Sequence, residues 1–136
     1  MNQMPVPDLP FRPLVTVVRV WPDLDAVEVV LEDGGRSATG EVAVEGDDLL
    51  AAAGRATCSA VSQLLVLGTE VTLRWVEEHP DTPVRRALIN VGVDVTTGED
   101  AEELLGSAFV RNDPQVAAVR AVLHALARRV TASMRR

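Results

Sequence analysis

The chain contains no lysine and no tyrosine. The first absence excludes Schiff-base chemistry and the phosphate-gripping lysine of a P-loop. The second leaves Phe11, Phe109, Trp21 and Trp75 as the aromatic side chains, too few to build stacking platforms for bases or sugars. The lone cysteine, Cys58, excludes an intrachain disulfide and any cysteine-based metal cage. No apolar run approaches the roughly 18 residues that a membrane span requires. The N-terminus also lacks the charged-then-apolar pattern of a signal peptide, so a cytoplasmic protein without membrane contact is expected. All 13 cations are arginine and face 20 acids, and the resulting net charge of −7 disfavours nucleic acid, whose phosphates require clustered cations. Gly-x-Ser-x-Gly, Gly-x-Gly-x-x-Gly and His-Glu-x-x-His are missing, and the acidic stretches "DLD", "VEEHPD" and "TTGED" do not follow the calcium-loop pattern. No cofactor, metal or catalytic residue is therefore expected.

What is present reads as one α+β domain of ordinary size within 136 residues, 47% of them apolar. Residues 1–13, with four prolines and no periodicity, read as a flexible Pro-rich arm, and 14–136 as the domain. β-branched runs predict strands at 14–21, 25–32 and 36–45, with Asp33-Gly34-Gly35 as a turn. A helix capped near Asp47 follows, carrying Leu50, Thr57, Val61 and Leu64 on one face and running to about Leu65. The second half repeats the order with strands at 69–78, 84–95 and 102–110. In the last helix Asp113 caps, Pro114 takes the first position, and a stripe runs from Val116 to Val130.

Sliding the chain by 66 residues places Gly40 on Gly106, Val44 on Val110, Asp47 on Asp113, and Val27 and Val29 on Val93 and Val95. The fold class that follows is two β-β-β-α repeats, at 14–66 and 69–131, forming a largely antiparallel sheet with two helices packed on one face. Glycine at positions 40 and 106 would let each helix approach the sheet backbone. Strict alternation puts Val71, Leu73 and Trp75 on the helix side and Val76, Leu88, Leu105 and Phe109 on the other, where they form an apolar patch that needs cover. A homodimer using Leu88, Leu105 and Phe109 is the expected cover. Arg120, His124 and Arg128 form an i, i+4, i+8 row on the outer flank of the last helix, suited to an anion or an acidic partner.

Two stretches resemble known families. "CSAVSQLL" resembles the segment after the catalytic cysteine in the small ribosomal-protein-processing cysteine proteases, but that family needs a histidine shortly upstream and none precedes His79 here. The pattern carried by Gly106, Ser107, Ala108, Val110, Asp113, Ala118, Arg120, Ala121, Leu123, Ala125 and Leu126 resembles the C-terminal signature of a set of small uncharacterised actinobacterial proteins. The doubled strand-and-helix order is similar, more distantly, to the leucine-binding regulatory domain of 2-isopropylmalate synthase, a dimerising pair of β-β-β-α units. The family's Gly-Asn-Gly-Pro stretch is replaced by "EVAVEGDD", so the resemblance implies a shape and a habit of pairing and not leucine binding. The function expected is a non-catalytic small binding or regulatory module acting as a homodimer, with a small-molecule or protein partner. The alternatives are a structural accessory subunit of a larger complex and, least favoured, a cysteine hydrolase using Cys58.

Overall fold

A computed structural model describes residues 10–131, 134 and 135. Three strands, β1 (Leu14–Trp21), β2 (Ala26–Asp33) and β3 (Arg36–Ala43), precede helix α1 (Leu49–Leu64). Strands β4 (Thr69–His79), β5 (Leu88–Thr97) and β6 (Asp100–Phe109) precede helix α2 (Pro114–Leu126). The molecule is thus an α+β fold of two β-β-β-α units. The six strands divide into two antiparallel three-stranded sheets, ordered β1-β2-β3 and β4-β5-β6, and do not join in a single layer. The helices lie against each other and against the inner faces of the sheets. One flank of α1 meets β3 at Gly40, and its other flank meets β4 where Gly54 receives Leu73. A helix between two sheets must be apolar nearly all round, which is why α1 buries Ala52, Ala53, Gly54, Ala56, Thr57, Cys58, Ala60, Val61 and Leu64.

Local chemistry starts and stops these elements. Gly34 and Gly35 both take positive φ, as the two-residue turn between β2 and β3 requires. The cap of α1 is Asp48, one residue later than expected, whose carboxylate accepts from the Ala51 N–H at 2.9 Å. Asp113 caps α2 as expected, accepting from the Gln115 N–H at 2.8 Å, with Pro114 at the first turn. Helix α2 stops at Leu126, short of the expected end, yet Val130 is still buried. Part of the expected flexible arm is anchored: Phe11 is fully buried, its N–H donates to the Ala127 carbonyl at 3.0 Å, and the Arg135 guanidinium lies 5.3 Å from its ring centroid. Residues 1–9 of that arm lie outside the described residues.

The internal duplication is visible in register, although the uniform offset of 66 is not kept. Gly40 pairs with Val29, and Gly106 pairs with Val91, so Val29 corresponds to Val91 and not to Val95. The cause is hairpin length: Gly40 stands in the fifth pair from its turn and Gly106 in the seventh. Ladders carried outward from these pairs match Val15 with Leu73 and Val18 with Val76. Each first strand carries a β-bulge at the same station, between Val15 and Val17 in β1 and between Leu73 and Trp75 in β4.

The second bulge corrects two expected orientations. An extra residue resets the alternation of a strand, so beyond Arg74 the faces exchange. Leu73 points inward onto Gly54, whereas Trp75 lies on the outer face with its indole over Gly92. Val76, expected outside, packs against the core beside Val91.

Candidate functional site

Two regions hold the residues singled out in the sequence. The first is the outer face of β4-β5-β6. Pairing aligns Trp75, Gly92 and Leu105 in one row across the sheet, and His79, Leu88 and Phe109 in another. Between them runs a polar row, Glu77, Asn90 and Ser107, in which the Ser107 hydroxyl donates to the Asn90 Oδ1 at 2.6 Å. Leu105 is 66% exposed, Phe109 42% and Trp75 36%, while Leu88 is half-buried. The face is therefore striped: Leu105 and Phe109 share it, as expected, but a serine separates them along β6. Phe109 also reaches round the sheet edge, where it lines a recess with Asp113, Val116 and Arg120. Trp75 is the member of this face that alternation alone misplaces.

The second region is the flank of α2 that bears Arg120, His124 and Arg128. The three do not form one site. Arg120 and His124 line an open groove of about 700 Å³ between α2 and the segment Phe11–Val18, whereas Arg128 borders a neighbouring depression beyond His124. Arg12 stands at the rim of both. The groove wall is otherwise mostly apolar, with Val15, Val18, Val116 and Leu123 among its members. His124 has a defined orientation because its Nδ1 accepts a hydrogen bond from the Ser107 N–H at 3.1 Å. That contact satisfies a donor on edge strand β6 and puts the imidazole proton on Nε2, where it is a donor. Arg120 makes no hydrogen bond or ion pair among the described residues.

The remaining groups expected to be inert or catalytic are placed as follows. Cys58 is buried in α1, and desolvation pushes its thiol up to about 12, so almost none is thiolate near neutral pH. A cysteine nucleophile needs the opposite environment, and the hydrolase alternative loses its one candidate. His79 is exposed at the end of β4, 3.6 Å from the Glu77 carboxylate. Among the described residues no His, Cys, Asp or Glu side chains gather as a metal site, and no helix is long and apolar enough to cross a membrane. The chain matches no family model and no curated protein.

Proposed function

We propose that the chain is a non-catalytic binding or regulatory module that pairs with a second copy of itself through the outer face of β4-β5-β6. The observation that carries the reading is the placement of Trp75, Leu88, Leu105 and Phe109 on one sheet face with no covering element among the described residues. A second copy is the occupant that suits this face best. The central polar row already satisfies the Ser107 hydroxyl on Asn90, and the Glu77 carboxylate and the Asn90 amide N–H groups remain for partners in the second copy. One flank carries both signs of charge, Arg74 paired with Asp94 at 3.5 Å, as a two-fold contact requires of one self-complementary surface. The resemblance to the regulatory domain of 2-isopropylmalate synthase supports pairing and names no ligand.

Burying one Phe or Leu contributes about 1.5–3 kcal/mol, against roughly 4–15 kcal/mol for the freedom lost on association. Trp75, Leu88 and Phe109 are already more than half buried, so each adds only a fraction of that figure, and the loss of any one of them shifts the equilibrium. Sedimentation at micromolar concentration tests it. The wild type should run as a dimer, and Leu105→Glu and Phe109→Glu as folded monomers. A monomeric wild type, or a Leu105→Glu variant that stays dimeric, overturns the interface.

A further inference from the structure

The groove beside α2 has a counterpart in the other repeat, and the two are built differently. In the register of the duplication, with the caps Asp48 and Asp113 matched and Ala56/Ala60 over Gly40 matched to Ala121/Ala125 over Gly106, Arg120 corresponds to Arg55, Val119 to Gly54, and Val15 to Leu73. At the α1–β4 contact the site is closed. Leu73 is seated so tightly on Gly54 that a Cβ added there would lie 2.9 Å from the leucine Cδ2. At the α2–β1 contact Val119 stands in place of the glycine and the shorter Val15 in place of the leucine. Arg55 of α1 donates to the Ala43 carbonyl at 3.1 Å, whereas its counterpart Arg120 lines an open groove between α2 and the segment Phe11–Val18.

The chemistry of the opening is as specific as its position. In a chain with seven more acids than cations, the described residues that line the groove include Arg12, Arg120 and His124 and no carboxylate. Its floor is aliphatic, built from Val15, Val18, Val116 and Leu123. A planar guanidinium without a partner among the described residues, next to an imidazole Nε2–H, is matched to a small planar anion. An apolar channel leading from that anion position is matched to a hydrocarbon chain.

We propose that this groove binds an aliphatic monocarboxylate, its carboxylate held by Arg120 with help from His124 and Arg12 and its chain laid along the valines of β1 and α2. The proposal rests on the chain being a binding module and not on its pairing, since the groove lies between the sheets and the proposed dimer face lies outside them. Sodium octanoate is the probe, titrated into the isotopically labelled full chain and followed by backbone amide resonances, with acetate and octanol as controls for charge without chain and chain without charge.

Saturable shifts confined to residues 14–18 and 116–127 are expected, with half-saturation below about 1 mM and with both controls weaker by at least about tenfold. Arg120→Gln should weaken octanoate by at least about tenfold at an unchanged melting temperature. Val116→Trp, which fills the channel and leaves the cation in place, should abolish binding. Absence of saturation, shifts centred on Leu105 and Phe109, equal binding of octanol, or undiminished binding to Arg120→Gln overturns the proposal. So do contacts from residues 1–9 to the groove in the free protein, which would make the chain its own occupant. A monomeric protein that still binds octanoate removes the dimer and keeps the groove, so the two readings fail separately.

Discussion

Helix α1 and helix α2 occupy the same station in two copies of one unit, and each faces the sheet of the other copy across a different pair of residues. Gly54 and Leu73 close the first contact, whereas Val119 and Val15 stand at the second, beside an open groove. What the copies share is equally specific. Gly40 lies under Ala56 and Ala60 of α1, Gly106 lies under Ala121 and Ala125 of α2, and a bulge interrupts β1 and β4 at one station. Features that close packing demands have been retained in both halves. The halves part where a side chain is free to line a space: Arg55 and Ser59 of α1 correspond to Arg120 and His124 of α2, and Arg55 is spent on the Ala43 carbonyl whereas Arg120 lines the groove. The difference teaches that the duplicated scaffold is held by the sheet–helix seams, while the helix–opposite-sheet seam is where one copy can acquire a binding property.

The shared seams predict the largest effect. A Cβ at Gly106 would collide with the Ala121 carbonyl and come within 2.6 Å of the Ala125 amide nitrogen; one at Gly40 would collide with the Ala56 carbonyl. Backbone cannot yield as a side-chain tip can, so Gly40→Val and Gly106→Val should each destabilise by about 3 kcal/mol or more. Denaturant midpoints at constant slope measure it. A loss in only one of the two would break the equivalence of the halves.

The differing seams predict a smaller and asymmetric effect. Gly54→Val pushes into Leu73 and should cost about 2 kcal/mol. Arg120→Val, on the groove-lining flank of α2, meets open groove and should change stability by no more than about 0.5 kcal/mol. Equal losses would show that the α2–β1 contact is as closed as its counterpart.

The third test concerns Cys58, whose counterpart in the repeat is the buried Leu123 and not, as the offset of 66 implies, His124. The folded thiol is raised from 9.0 to about 12 by desolvation, so the folded chain holds this proton more tightly than the unfolded chain. Its contribution is fully present below pH 9 and declines as pH rises toward 12, by on the order of 1 kcal/mol per pH unit. The chain has no lysine or tyrosine, so no other side-chain type titrates in that window. Unfolding between pH 8 and pH 11 should show this alkaline loss in the wild type and not in Cys58→Ala. A parallel decline in both proteins would remove burial of the thiol as its cause.

Much of this was legible along the chain. Val, Ile and Thr runs broken by Gly-Gly and Thr-Gly marked the strands, and Asp113-Pro114 announced α2, because caps and turns depend on a few adjacent residues. The glycine pair was also legible, since a glycine amid β-branched residues on a helix-facing strand signals close approach. The orientations of Trp75 and Val76 were not. A bulge leaves no composition signal of its own, and alternation counted through it assigns each later side chain to the wrong face. Phe11 was hidden for a similar reason: proline-rich sequence reads as loose, yet one buried ring and one hydrogen bond to Ala127 anchor that part of the arm.

By itself the sequence determined the kind and order of the elements, their doubling, and the exclusion of lysine, disulfide and thiol-cage chemistry, because each follows from residue identity or from neighbours within a few positions. Only the tertiary structure decided that the strands form two sheets with the helices between them, and that Arg120 and His124 share a groove from which Arg128 is separated. It also decided that Leu105 and Phe109 are divided by a polar row. Those outcomes depend on register, hairpin length and the fit of one side chain on a distant glycine. Such contacts join residues far apart in the chain, and local pattern carries no record of the distance between them.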